Sequence, residues 1–155
     1  MSLLHSPKIV TNGLVLCLDA ANRKSYPGSG NIWRDLSGNG NNGTLTNGPT
    51  FSSANGGSIV FDGTDDIVLV NNSSSISPSS AITVSAFFKI SSYTSNYAPI
   101  CFKQNNYVSF YEQYSLALAS TAIIFAVTGV DRNQKLVTSN SVSYTHLTLP
   151  TNREV

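Results

Sequence analysis

The sequence predicts an all-β protein of antiparallel strands, arranged as a β-sandwich or a barrel. Serine, threonine and asparagine occur 24, 13 and 16 times in 155 residues, while charged residues make up only 11%. Segments rich in Val, Ile and aromatic residues alternate with turn-forming residues, which is typical of short strands joined by tight turns. No segment keeps an apolar period of 3.6 residues, so long helices are not expected. The length fits one domain.

About ten strands are expected, and the clearest is residues 82–90. Its even positions are Ile, Val, Ala, Phe and Ile, so one face of a half-buried antiparallel strand would be apolar. Residues 63–66 are predicted to form a hairpin loop between two of the other strands. The other strand candidates are residues 14–18, 58–62, 67–70, 99–103, 107–111, 114–119, 121–127 and 135–138.

Five Asn-Gly pairs supply explicit turn signals. Both residue types tolerate positive φ, so the pairs suit type I′ hairpin turns. The pairs are residues 12–13, 39–40, 42–43, 47–48 and 55–56. The Ser-rich stretch 71–80 is predicted to be a loop within the domain and not a linker.

Charge and hydropathy exclude several classes of partner. The formal net charge is +1, which argues against the strong basic field of a nucleic-acid-binding protein. No apolar run approaches the roughly 20 residues that a bilayer span requires. No apolar stretch typical of a signal peptide opens the chain. Cys17 and Cys101 are the only cysteines, and we expect both to be buried free thiols.

Two loop motifs resemble ligand sites and are better explained as turns. Residues 38–43 match G-x-G-x-x-G, but Gly48 and Pro49 follow closely and would break the helix that a dinucleotide fingerprint needs. Asp35, Ser37 and Asn39 have the spacing of the first calcium-loop ligands, yet the twelfth position is not Glu. An Asx-rich turn is the favoured interpretation, with a low-affinity calcium site as the alternative; no other cofactor is expected.

No catalytic set is predicted, and the chain is expected not to be an enzyme. His5 is the only histidine, and Glu112 the only glutamate, before residue 142. Aromatic rings interleaved with amides form the better lead, because sugars offer apolar C–H faces and hydroxyls that need donors and acceptors. The alternative for each ring is packing within the sheet. The ligand-binding candidates are Trp33, Tyr93, Asn96, Tyr97, Asn106, Tyr107 and Tyr111.

Four stretches follow one another in a recognisable order and spacing. They are residues 13–22 (GLVLCLDAAN), 33–44 (WRDLSGNGNNGT), 57–66 (GSIVFDGTDD) and 82–89 (ITVSAFFK). Together they resemble the laminin-G-like, concanavalin A-like jelly-roll domains of phage and bacterial surface proteins, over residues 13–141. The catalytic Glu-x-Asp-x-x-Glu strand of the glucanase relatives is absent, and so is the Trp-x-His-Val-type strand expected after residue 141.

The resemblance implies a non-catalytic carbohydrate-binding or adhesion module of a larger virion or surface protein. The alternative is a purely structural jelly-roll domain that serves subunit assembly in a phage particle. The expected partners are a glycan or polysaccharide and neighbouring domains or subunits, with no nucleic acid and no membrane. The expected location is a virion or an extracellular surface. Because one fold hosts many functions, the resemblance is specific for the fold and weak for function.

These expectations divide the chain into three parts. Residues 1–12 form an N-terminal extension and residues 13–141 the jelly-roll domain, incomplete at its C-terminus. Residues 142–155 resemble a one-frame translation of a DNA-library adapter, and they are expected to add nothing to a native core. Pro150 cannot donate a hydrogen bond to a strand ladder, which supports that expectation.

Overall fold

The structure is a computed structural model that describes residues 10–91, 97–104, 112–119, 122–128 and 134–138. These residues form nine strands and one short 3-10 turn (Ala54–Gly56), without an α-helix, and every strand pair is antiparallel. The all-β prediction is therefore confirmed. The chain divides into two compact units, Met1–Ala81 and Ile82–Val155, which are described separately.

The first unit contains five short strands in two sheets. The strands are β1 (Ile32–Trp33), β2 (Gly43–Thr46), β3 (Thr50–Ser52), β4 (Ser58–Val60) and β5 (Ile67–Val70). One sheet has the order β1-β2-β5, and the other is the hairpin β3-β4. Leu45 and Ile76 are buried, and Tyr26 packs against two further rings. The core of this unit is small and partly aromatic.

Local turn chemistry explains the β3-β4 hairpin. Asn55 and Gly56 both have positive φ, at 55° and 93°, and the Gly57 backbone N–H donates to the Ala54 carbonyl. Two central residues with positive φ define a type I′-like turn, as predicted for this Asn-Gly pair. Asn47 and Gly48 also have positive φ, but they join β2 to β3, which lie in different sheets. The hairpin interpretation is therefore right for the first pair and wrong for the second.

The predicted hairpin around residues 63–66 is wrong. The strands on either side, β4 and β5, exist close to their expected positions, but β4 pairs with β3 and β5 pairs with β2. Residues 61–66 carry the chain from one sheet to the other. Local sequence identified both strands but could not specify their partners, because pairing depends on residues distant in the chain.

The predicted strand at residues 14–18 is also absent. This segment is half-buried, but its backbone bonds to a loop instead of a strand. The Cys17 carbonyl accepts the backbone N–H of Leu36, and the Val15 carbonyl accepts the Ser37 hydroxyl. A backbone N–H and a side-chain hydroxyl of the loop thus satisfy backbone carbonyls that a strand ladder would otherwise engage.

The second unit is an up-and-down sheet of four strands in the order β6-β7-β8-β9. The strands are β6 (Ala98–Gln104), β7 (Glu112–Ala119), β8 (Ala122–Thr128) and β9 (Gln134–Thr138). Each lies within a few residues of a predicted strand, so these four predictions are confirmed. Ser115 and Ala117 are fully buried on one face of β7, and Tyr114 and Leu118 are buried on the other. Among the described residues, β7, one of the two inner strands, therefore carries most of the core of this unit.

Residues 82–90, the strand expected most clearly, form no strand in the structure. Ile82, Val84 and Ile90 are half-buried as the alternation requires, but Phe88, expected on the same face, is 44% exposed. Phe87 is 97% exposed. No described strand pairs with this segment, and an apolar alternation becomes a strand only when a neighbour completes its hydrogen bonds.

Several expectations fall outside the described residues. They concern the strand at 107–111, most of the N-terminal extension at 1–12 and the adapter-like tail at 142–155. Over the part of the chain that the structure describes, no helix has the length and apolarity that crossing a bilayer requires.

Candidate functional site

Asp35 is the centre of a hydrogen-bonded loop in the first unit, and this loop lies beside the cleft described below. The Asp35 carboxylate accepts the backbone N–H groups of Cys17 and Ser37 at 2.9 Å each, and that of Asn41 at 3.0 Å. It also accepts the Ser37 hydroxyl at 2.7 Å. Both carboxylate oxygens therefore engage protein donors, which agrees with the predicted Asx-rich turn.

The same contacts set the acidity of Asp35. Burial alone would raise the pKa of the carboxyl, since it disfavours the charged form. Hydrogen bonds from the Ser37 side chain and from the backbone N–H groups of Ser37, Cys17 and Asn41 outweigh burial. The pKa of Asp35 consequently lies below its ordinary value, and the carboxylate stays charged at neutral pH.

Asn41 connects this loop to two other segments. It is 5% exposed, and its amide nitrogen donates to the Val15 carbonyl at 2.7 Å and to the Ser75 hydroxyl at 2.8 Å. Its amide oxygen accepts the Ser73 hydroxyl at 2.7 Å. A buried amide with its donors and its acceptor engaged fixes the positions of the segments around it. Asn41 therefore anchors the floor of the neighbouring cleft.

The cleft itself is an open depression of about 380 Å³ beside the β1-β2 pair. Ile32 of β1 and Thr44 of β2 face each other in register, and the chain after β5 forms another side. The lining residues are Ile32, Asn39, Gly40, Asn41, Asn42, Thr44, Asn71, Asn72 and Ser73. Every polar side chain in this set is an amide or a hydroxyl. The cleft can therefore donate and accept hydrogen bonds without carrying charge.

The side chains that line the cleft differ in their hydrogen bonds and in their exposure. The Asn42 amide oxygen accepts the Asp35 backbone N–H at 2.9 Å, which leaves the two amide N–H donors outside that bond. Asn71 is exposed immediately after β5. Ile32 is 44% exposed and supplies an apolar surface next to these amides. Apolar surface flanked by neutral donors and acceptors is the arrangement expected for a polar, uncharged ligand.

Two of the seven ligand-binding candidates lie in the described residues. Trp33 lies on β1 in edge-to-face contact with Tyr26, with ring centroids 6.5 Å apart. Its indole nitrogen is buried and has no hydrogen-bond partner among the described residues. Tyr97 precedes β6, is 42% exposed, and its hydroxyl donates to the Ser115 hydroxyl at 3.4 Å. The other five, Tyr93, Asn96, Asn106, Tyr107 and Tyr111, lie outside the described residues.

An acidic group lies in the segment between β4 and β5. Carboxylate oxygens of Asp62, Asp65 and Asp66 lie within 4.8 Å of one another. Oxygen ligands of this kind suit hard cations such as Ca²⁺. Asp62 and Asp66 also stabilise the loop, since their carboxylates accept the backbone N–H groups of Thr64 and Asp62 respectively.

Both cysteines are free and half-buried. Burial raises the pKa of the Cys17 thiol, and the negative charges of Asp19 and Asp35 raise it further. Burial alone raises the pKa of the Cys101 thiol. Both therefore remain largely protonated at neutral pH and are poor nucleophiles, in line with the prediction of free thiols, though neither is fully buried.

The sequence does not predict the cleft. It predicts turns at Asp35 and at the Asn-Gly pairs, and a loop at residues 71–80. The density of asparagine in residues 39–42 and 71–72 was the available signal. No family model, curated protein or solved structure matches the chain.

Proposed function

We propose that the chain is a non-catalytic carbohydrate-binding or adhesion module of a larger surface or virion protein. The observation that carries the proposal is the uncharged, asparagine-lined cleft beside β1 and β2. The sequence resemblance to concanavalin A-like jelly-roll domains supports the same proposal, as does the all-β structure. In this proposal the strands belong to a jelly-roll sandwich.

A neutral sugar fits the chemistry of the cleft. Sugar hydroxyls both donate and accept hydrogen bonds, and side-chain amides such as those of Asn42 and Asn71 do the same. The apolar C–H face of a sugar can pack on exposed apolar surface such as Ile32, which is 44% exposed. A phosphorylated or anionic ligand would find no cationic side chain among the lining residues.

The lining also favours binding without turnover. Hydrolysis of a glycosidic bond requires two carboxyl groups on either side of the bond. The side chains that line the cleft include no carboxyl group and no imidazole. A ligand held there would meet hydrogen-bonding groups but neither a general acid nor a general base.

Binding to an array of neutral and charged glycans tests this function. We expect retention of one class of neutral glycan, lost in Asn71→Asp, because a carboxylate removes the two amide donors and adds charge. Asn55→Asp, in the exposed β3-β4 turn away from the cleft lining, is the matched control and should bind as the original chain does. No binding to any glycan, or equal binding by both variants, would contradict the proposal.

A second function, assembly with neighbouring subunits, is favoured by a different observation. Phe87 and Phe88 are 97% and 44% exposed in a segment that pairs with no described strand. Adjacent exposed aromatic residues are characteristic of surfaces that are covered in an assembly. If assembly is the function, Phe87→Ser should abolish cross-links to neighbouring subunits in intact particles and leave glycan binding unchanged. Unchanged cross-links would count against this alternative.

A further inference from the structure

The five Asn-Gly pairs differ sharply in how their side chains are held. All five share the same local sequence feature, an asparagine followed by a residue without a side chain. We propose that Asn12 and Asn55 are sites of spontaneous deamidation, while the hydrogen bonds of the fold protect Asn39, Asn42 and Asn47. Modification thereby spares the two pairs that line the cleft.

The chemistry requires a mobile amide and an available backbone nitrogen. The backbone nitrogen of the following glycine loses its proton and attacks the side-chain carbonyl carbon of asparagine. A new C–N bond closes a succinimide ring, and the bond to the side-chain nitrogen breaks so that ammonia leaves with the proton. Water then opens the ring at either carbonyl and yields aspartate or isoaspartate. Glycine accelerates the first step because it has no side chain to obstruct the attack.

Asn12 and Asn55 meet both requirements. Each is exposed, and neither side chain makes a hydrogen bond to any described residue. Each is the second residue of a four-residue turn, closed by Leu14 N–H to the Thr11 carbonyl and by Gly57 N–H to the Ala54 carbonyl. In such a turn the N–H of the third residue, here the glycine, takes no part in the closing bond. The attacking nitrogens of Gly13 and Gly56 therefore remain outside the turn hydrogen bond.

In the other three pairs, the asparagine side chain is held by hydrogen bonds. The Asn39 amide nitrogen donates to the Leu14 carbonyl and to the Ser37 hydroxyl, at 3.1 Å each. The Asn42 amide oxygen accepts the Asp35 backbone N–H at 2.9 Å. The Asn47 amide nitrogen donates to a backbone carbonyl at 2.9 Å. Each side chain must break these bonds before its carbonyl carbon can reach the neighbouring nitrogen.

The location of Gly43 adds a further barrier at Asn42. Gly43 is buried and belongs to the central strand β2, paired with Trp33 on one side and Val70 on the other. Attack by its nitrogen requires local separation of this sheet, so Asn42 should be the slowest of the five.

Peptide mapping by mass spectrometry measures the five rates separately. The chain is incubated at mildly alkaline pH in buffer, with a parallel sample in guanidinium chloride. Because every pair is Asn-Gly, the five rates should be similar in denaturant. In buffer we expect Asn39, Asn42 and Asn47 to react about tenfold more slowly than Asn12 and Asn55, since their hydrogen bonds must first open.

Asn55→Gln serves as the matched control, because a longer side chain closes the ring poorly. It should remove the product at residue 55 and leave the rate at Asn12 unchanged. Equal rates at all five positions in buffer, or faster reaction at Asn39, Asn42 or Asn47 than at Asn55, would overturn the proposal. Isoaspartate at residues 12 and 55 in the buffered sample, with intact Asn42, would establish it.

Discussion

Each of the two units of the chain is stabilised internally by a different kind of interaction. In the second unit, four strands of five to eight residues pair along backbone ladders, and the β6-β7 ladder contains two register shifts. In the first unit, the strands are two to four residues long, and side chains such as Asp35, Ser25 and Asn41 bond to distant backbone groups. The first unit thus consists largely of loops that are held in place by hydrogen bonds from polar side chains. We call it the fastened unit, and we call the second unit, with its paired strands, the ladder unit.

This difference determines where a ligand can be accommodated. In a strand ladder, the backbone donors and acceptors bond to one another along regular strands. Loops held by side-chain hydrogen bonds instead present irregular backbone and amide side chains at the surface. The cleft lies in the fastened unit, beside the loop that Asp35 organises. The comparison therefore predicts that disrupting polar side chains damages the first unit, and that disrupting apolar packing damages the second.

The largest effect is expected from Leu118→Ala in the ladder unit. Leu118 lies on the inner strand β7, is 8% exposed, and is paired with Ala98 and Ile123. Truncating a buried leucine removes apolar contacts and leaves a cavity, so the free energy of unfolding should fall by about 3 kcal/mol. Urea denaturation measures the change. Phe102→Ala, at a 53% exposed position of β6, is the control and should cost much less; equal losses would show that β7 does not carry the core.

Asp35→Ala should produce the next largest loss, this time in the fastened unit. The change removes the acceptor of four hydrogen bonds and leaves half-buried donors without partners. We expect a loss of about 2 kcal/mol, because unsatisfied donors carry a desolvation cost. Asp65→Ala, an exposed residue whose side chain lies outside this network, should be almost neutral. A neutral Asp35→Ala in the same denaturation experiment would refute the role of this carboxylate.

Gly43→Ala tests the close approach of β2 to its neighbours. A Cβ atom at this position would lie 2.6 Å from Cγ1 of Val68 and 3.3 Å from Cδ1 of Leu18. Overpacking should lower the free energy of unfolding by about 1–2 kcal/mol. Val68→Ala removes the closest obstacle, so adding it should make Gly43→Ala less costly than it is alone. Additive losses in this double-mutant cycle would contradict the close approach.

The smallest expected effect is the pH dependence that Asp35 gives to the stability of the fold. Its folded-state pKa lies below the unfolded value, so its contribution to stability is complete above the unfolded pKa, near pH 4. That contribution is lost as the pH falls through this range toward the folded value. Comparing denaturation midpoints of the original chain and Asp35→Asn from pH 3 to 7 checks the sign. The difference between them should shrink toward acid pH, and a constant difference would contradict the assignment.

The comparison also explains what the sequence could predict. Strands β6 to β9 lie close to their predicted positions because their segments are rich in the apolar, β-branched and aromatic residues that favour strands. Residues 14–18 and 82–90 are also rich in such residues, but no described strand pairs with them, and local sequence alone cannot supply a partner. The role of Asp35 as a turn former could be anticipated from neighbouring residues. The cleft could not, because Asn71 and Asn42 meet only through the pairing of β2 with β5.

Amide hydrogen exchange tests most directly the claim that polar side chains fasten the first unit. The backbone N–H groups of Cys17, Ser37 and Asn41 lie outside any strand and donate to the Asp35 carboxylate. We predict that they exchange slowly in the original chain and rapidly in Asp35→Ala, while the amides of β7 keep their protection. Rapid exchange of the three amides in the original chain, or unchanged protection in Asp35→Ala, would contradict the account.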